Sequence, residues 1–231
     1  MMETHDIAPQ AYLLPAMQER NRDLWNRYAA ARESIGINIG SGAALAPGFL
    51  NCDLAPQYDD VFALDATQAF PFDSGSIDVV FSEHMIEHIT YDAGQVMLRE
   101  CRRVLRPGGT IRIATPSIEF LIGLFRPDCS MRERDYIEWA QRTLTPTAPA
   151  ALPAFVFNTF VRSWGHVFIY DRASLRLALE GTGFCDVEEV PISHSRHAML
   201  QNRESVHRMP PGYLDLESMV FEARAPAAVL G

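Results

Sequence analysis

The sequence predicts an α/β fold built on a mainly parallel sheet covered on both faces, and three observations lead there. Short apolar runs at residues 35–39, 49–52, 61–64, 77–81 and 111–114 alternate with longer connecting segments through the first half of the chain. The run Ile77-Asp78-Val79-Val80-Phe81 has the β-branched and aromatic content of a central strand. Residues 92–105 place Met97, Cys101, Val104 and Leu105 on one helical face, and Arg106-Pro107-Gly108-Gly109 stops that helix before the next strand. Strands joined by crossovers of this kind lie parallel and are buried on both sides.

The remaining elements come in order along the chain. Residues 15–32 contain no glycine, and Met17, Leu24, Trp25 and Tyr28 mark one side of an amphipathic helix that covers the domain. The strand at 35–39 runs into Gly40-Ser41-Gly42, a tight turn. The next two strands each end on a carboxylate, Asp53 and Asp65. A turn cluster at 71–76 precedes the fourth strand, which ends at Ser82-Glu83-His84. Residues 117–169 break the alternation, with helices expected near 118–125 and 131–142 and a Pro/Ala-rich stretch at 145–153, so they read as an insertion or lid. Asp171 is a good N-cap for a helix ending at Gly181, and residues 184–191 and 219–224 supply closing strands, the latter with the alternation of an antiparallel partner. A single domain of 231 residues is expected, made of a helical cover (1–33), a core (34–116), the insertion (117–169) and the C-terminal part of the sheet (170–231).

Composition narrows the function. The chain carries 29 acidic and 20 basic residues, a formal charge of −9, with arginines interleaved among carboxylates rather than gathered into the basic stripe that a nucleic-acid partner requires. All 20 basic residues are arginine, so chemistry that needs a Schiff-base, P-loop or kinase-type lysine is excluded. The apolar stretch at 148–157 is interrupted by Pro149 and Pro153, and no membrane span of roughly 20 apolar residues is expected. Glu3, His5, Asp6 and Pro9 precede any apolar stretch, which argues for a cytoplasmic chain without a leader. Cys52, Cys101, Cys129 and Cys185 are widely spaced and read as reduced, mostly buried thiols.

In an open parallel sheet a ligand sits beyond the carboxyl ends of the strands. Those ends offer, in turn, Gly40-Ser41-Gly42, Asp53, Asp65 and Glu83-His84. Glycines admit close backbone approach. One carboxylate accepts the two hydroxyls of a ribose, a second accepts an exocyclic amine, and the amide of Ala66 donates to a ring nitrogen, so the set describes an adenosine pocket. A dinucleotide needs a third glycine opening a helix. Here that position is Leu45, with Pro47-Gly48 directly after, so a cofactor without phosphates such as S-adenosylmethionine fits better.

The run Ile37-Asn38-Ile39-Gly40-Ser41-Gly42, with Asp53, Leu64-Asp65-Ala66, Phe70-Pro71-Phe72, Ser76-Ile77-Asp78-Val79-Val80, Glu87-His88-Ile89 and Arg103–Gly109, resembles a class I S-adenosylmethionine-dependent methyltransferase of the type 11 group over residues 35–116. Trp164-Gly165-His166, the helix from Asp171 and Gly183-Phe184 resemble the end of the same family. The resemblance implies a Rossmann-like, doubly wound sheet of about seven strands, the last antiparallel. It implies that Gly40 and Gly42 line the methionine moiety, that Asp53 holds the ribose, that Asp65 and Ala66 recognise adenine, that Glu83-His84 lie beside the sulfonium, and that Ser41 and Leu54 belong to the same cofactor site. Two departures stand out: Asn38 occupies a position that is often acidic in the family, and the link between the first two strands is too short for a full crossover helix.

The function expected is methyl transfer by in-line displacement to a small-molecule or glycan-like acceptor, with oxygen, nitrogen and carbon nucleophiles all open, as is the oligomeric state. His84, Glu87, His88 and His166 are the candidate bases, and His84 is favoured because the fourth strand opens into the site there and imidazole titrates near neutrality. A non-catalytic cofactor-binding sensor or assembly protein is the alternative. His84-Met85-Ile86-Glu87-His88 also fits the H-x-x-E-H pattern of zinc peptidases, in which two histidines on one helical face hold the metal; no third ligand is evident by pattern, and no metal is assigned.

Overall fold

The computed structural model describes residue 10 and residues 12–227. The expectation drawn from Glu3, His5, Asp6 and Pro9 falls outside the described residues. Helix α1 (Pro15–Ala30) begins on a proline, whose missing N–H costs nothing in a first turn, and buries Asn21, Leu24 and Trp25. Strands β1 (Gly36–Ile39), β2 (Leu50–Asp53), β3 (Phe62–Ala63) and β4 (Ile77–Glu83) come next. A 3-10 turn at Ile86–His88 leads to α2 (Tyr91–Val104), then β5 (Leu105–Pro116), α3 (Ile118–Gly123), α4 (Met131–Leu144), α5 (Pro153–Arg162), α6 (Arg172–Gly181) and β6 (Cys185–Glu189). Two further 3-10 turns, Ala198–Leu200 and Val206–Arg208, precede α7 (Leu214–Glu217) and β7 (Ser218–Arg224). Helix α5 was not expected: Pro153 reads as a breaker in sequence, yet it occupies the first turn of that helix.

The seven strands run in the order β3-β2-β1-β4-β5-β7-β6. Strands β1 to β5 pair in parallel, and β7 is antiparallel to both β5 and β6, so the expected seven-stranded sheet with an antiparallel last strand is present. Strand order reverses between β1 and β4, and a cleft belongs beside such a switch point.

Helices α1, α2 and α6 pack on one face, where Leu24, Trp25, Met97, Leu98, Cys101, Leu175 and Leu179 join Ile37, Ile39, Ile111, Ile113, Phe221 and Ala223. The opposite face is covered mainly by irregular chain. Ala46, Phe49, Val79 and Phe81 pack against Met199 and Leu200, and Ala114 and Val220 against Ile192 and Leu214. The link from Gly40 to Phe49 is shorter than the roughly dozen residues that a parallel crossover normally uses, so the space of a crossover helix goes to a segment from near the C-terminus. On the same face Arg112 is fully buried, with Nε 2.5 Å from Glu204 Oε1 and Nη1 2.5 Å from Glu222 Oε1, while its guanidinium also donates to the carbonyls of His194 and Pro191.

Helices α3 to α5 make a core of their own around Phe120, Leu121, Leu124, Tyr136, Ile137, Val156 and Phe160, with Tyr213 and Leu216 at its rim. The edge strand β3 is completed by a side chain: Asn21 of α1 donates to the Ala63 carbonyl at 2.9 Å and accepts from the Ala63 amide at 3.0 Å. All four cysteines are free, Cys52 and Cys101 buried and Cys129 and Cys185 partly exposed. Among the described residues no helix is long and apolar enough to cross a membrane.

Candidate functional site

The carboxyl ends of β1, β2 and β4 open into a cleft of about 1020 Å³, at the upper end of the range for small-molecule sites. Every residue assigned from the strand ends lines it: Gly40, Ser41, Gly42, Asp53, Leu54, Asp65, Ala66, Glu83 and His84. The amides of Gly40 and Ser41 both donate to the Cys52 carbonyl, at 2.9 and 3.0 Å, which folds the turn after β1 back onto β2. Gly40 has φ +71° and a Cβ there would lie 2.0 Å from Met85 Cγ, so both backbone and space demand glycine. Gly42 has φ +49° and a Cβ there would meet nothing within 4 Å. The turn therefore leaves room for a ligand, and the Ser41 hydroxyl is buried beside it without a hydrogen-bond partner among the described residues.

Asp53 Oδ2 accepts from the Gly42 amide at 2.8 Å and Oδ1 from the Ala55 amide at 2.9 Å, so the carboxylate is fixed while each oxygen keeps a lone pair. Asp65 Oδ1 takes both the amide and the hydroxyl of Thr67, at 2.9 and 2.7 Å. Its other oxygen accepts no hydrogen bond among the described residues. Asn38 bonds to Asn51 Oδ1 at 2.9 Å, and the same oxygen accepts from the Ala46 amide at 2.7 Å. The residue that stands in an often-acidic position thus ties β1 to β2 and pins the loop that replaces a helix.

At the end of β4 the side chains are engaged by distant parts of the chain. Glu83 lines the cleft, but its carboxylate accepts from the Ser205 amide and hydroxyl, each at 2.8 Å, and lies 3.1 Å from Arg208 Nη2. Its oxygens hold residues 205–208 at the cleft. Residues 202–208, a stretch that sequence patterning left unassigned, line the cleft, and residues 117–169 contribute none of its lining. Arg203 fixes its outer end, donating to the Pro47 carbonyl at 3.1 Å and sitting over the Phe49 ring.

His84 has φ +49°, and its amide donates to the Ala114 carbonyl at 2.9 Å. Nε2 lies 3.0 Å from Ser218 Oγ and Nδ1 3.3 Å from Glu87 Oε1. Both ring nitrogens of His84 are thus engaged by the protein, one by a hydroxyl and one by a carboxylate. The zinc-peptidase pattern fails, because Ile86–His88 form a single 3-10 turn and the two histidines do not share an α-helical face. Burial opposes charge on His84, but the Glu87 carboxylate, aided by Glu217 and Glu83, outweighs it and raises the pKa above the ordinary 6.5. Stability from that pair is complete below about pH 6.5 and is lost as pH rises through the folded-state value. The gap in unfolding free energy between wild type and His84→Gln, measured in urea, is expected to be wider at about pH 6 than at about pH 9; a gap independent of pH would show that the pair is not charged.

Residues 28–113 match the model of a methyltransferase domain, type 11. No curated protein sequence matches the chain. Among solved structures, an S-adenosylmethionine-dependent methyltransferase from Thermotoga maritima superposes with a TM-score of 0.50 at 14 % identity, over 92 % of this chain and 100 % of that one. A Haloferax volcanii protein solved with the Trm112 methyltransferase activator gives a TM-score of 0.49 at 16 % identity, over 94 % of each chain. An S-adenosylmethionine-dependent methyltransferase from Archaeoglobus fulgidus gives 0.48 at 14 % identity, over 90 % of this chain and 94 % of that one. At such identity the Thermotoga match speaks for the fold.

Proposed function

We propose that the chain, whose residues 28–113 match a methyltransferase-domain model, is a class I S-adenosylmethionine-dependent methyltransferase of the type 11 group whose cleft transfers the cofactor's methyl in line to a small-molecule or glycan-like acceptor. The observation that supports this reading is the convergence of the Gly40–Gly42 turn, Asp53 and Asp65 on one cavity large enough for a nucleoside and a second molecule.

When bound, the cofactor supplies a methyl already activated on a sulfonium, so the protein's task is chiefly alignment. Asp53, fixed by the Gly42 and Ala55 amides, turns its remaining lone pairs to the ribose hydroxyls. Asp65 and Ala66 take the adenine edge. The buried Ser41 hydroxyl gains a partner at the methionine end. Residues 202–208, latched by Glu83 and Arg203, exclude water from the cleft. His84 is a positioning residue that joins the end of β4 to Ser218 and Glu87, and an acceptor whose nucleophile carries no proton needs no base at all.

The test is turnover. Purified protein incubated with methyl-labelled cofactor and pooled candidate acceptors is expected to yield a labelled product together with an equal amount of S-adenosylhomocysteine. Binding of cofactor without transfer to any pool would favour the non-catalytic sensor instead.

A further inference from the structure

We propose that Glu87, His88 and His166 form a site for one divalent first-row transition ion, zinc being the type case. Each residue offers one ligand atom, and these atoms lie within 4.8 Å of one another. Nitrogen and oxygen ligands bind zinc at about 2.0–2.2 Å, so inward shifts of about an ångström complete the coordination. Two imidazoles and a carboxylate suit zinc, cobalt or nickel better than calcium or magnesium.

Glu87 is the first independent indication. It is fully buried, Thr115 Oγ1 donates to its Oε2 at 3.0 Å, and its Oε1, 3.3 Å from His84 Nδ1, accepts no well-directed hydrogen bond among the described residues. A buried carboxylate oxygen whose hydrogen-bonding capacity is unfilled is costly, and a metal ion would fill it. His166 is the second. Its Nδ1 lies 2.6 Å from the Phe160 carbonyl, which can only accept, so Nδ1 carries the proton and Nε2 presents the lone pair. A backbone carbonyl on the far nitrogen is the usual outer-shell support of a metal-binding histidine.

The backbone brings these groups together across a long sequence separation. The amides of Val167 and Phe168 donate to the Glu87 carbonyl at 2.7 and 3.1 Å, docking the end of the insertion onto the turn after β4. Trp164 (φ +56°) and Gly165 (φ +80°) make the sharp reversal that sets His166 against His88, with ring centroids 4.8 Å apart. His88 also lines the cleft. Three protein ligands leave a coordination position open beside the proposed acceptor space. Glu87 is thus a ligand rather than a base, and His84 braces it from behind.

The test uses the untagged full chain, stripped with chelator and titrated with cobalt(II) followed by its visible d–d bands, and with zinc by calorimetry, in the absence of cofactor. One equivalent per chain is expected, with cobalt bands of a low-coordinate site. His166→Ala is expected to weaken binding at least tenfold and abolish the bands, whereas His194→Ala, outside the cluster, leaves both unchanged. His88→Ala provides the same reading should His166→Ala fail to fold. Absence of stoichiometric uptake by wild type, or wild-type uptake by both cluster variants, would overturn the site. Neither result bears on cofactor binding, which the titration does not include.

Discussion

Asp53→Ala is expected to lower the affinity for S-adenosylmethionine and S-adenosylhomocysteine by about a hundredfold. A hydrogen bond to a charged group contributes about 1.5–3 kcal/mol, and the carboxylate is assigned both ribose hydroxyls. Loss of either one alone corresponds to roughly tenfold. The side chain also anchors Gly42 and Ala55, so part of the loss arises from a loosened turn. Asp53→Asn separates the two contributions, since it keeps the volume and one acceptor oxygen while presenting a donor to an amide that also donates. Calorimetric titration of both ligands against wild type and both variants measures the effect, and thermal unfolding of the ligand-free proteins measures the loosening. Unchanged affinity in Asp53→Ala would remove the ribose assignment and with it the orientation of the nucleoside in the cleft.

Arg112→Met is expected to cost about 3–5 kcal/mol of stability, because removing one member of a buried charge cluster strands the others. Glu204 and Glu222 would both remain buried beside an apolar side chain, and the carbonyls of His194 and Pro191 would lose their donor. For a chain of 231 residues each kcal/mol shifts the melting temperature by about 2–4 °C, so a fall of about 6–20 °C is expected. The effect extends to the cleft, since Glu204 directly precedes Ser205, whose amide and hydroxyl bind Glu83. Trypsin is therefore expected to cut at Arg203 and Arg208 faster in the variant than in wild type under native conditions. The triple change Arg112→Met, Glu204→Gln, Glu222→Gln is expected to regain much of the loss, because a buried ion cluster opposes its own desolvation. A single variant within about 1 kcal/mol of wild type, cut no faster, would mean that the cluster neither stabilises the sheet nor holds the strap.

The parts of this protein legible in sequence are those decided within a few residues. Gly40 and Gly42 are legible because positive φ angles in a tight turn are a local demand. Asp53, Asp65 and Glu83 are legible because each ends an apolar run, and the ends of parallel strands share one rim. Helices α2 and α6 are legible from their apolar spacing and their caps, Thr90 and Asp171. Pro153 shows the limit of local reading, since a proline breaks a helix in its interior but begins one in its first turn.

Tertiary structure alone decided what those strand-end groups touch. Glu83 meets Ser205, 122 residues away; His84 meets Ser218, 134 away; Arg112 meets Glu204, 92 away. The covering segment from Val190 to Glu217 has no apolar period to announce it, because it is held by discrete polar contacts to β4 and β5 and by a few apolar anchors such as Ile192, Leu200 and Leu214. Local chemistry therefore determined which groups reach the cleft, and packing determined which of them remain free there: a hydrogen-bond acceptor written in the sequence is open to a ligand only where no distant donor has been folded against it.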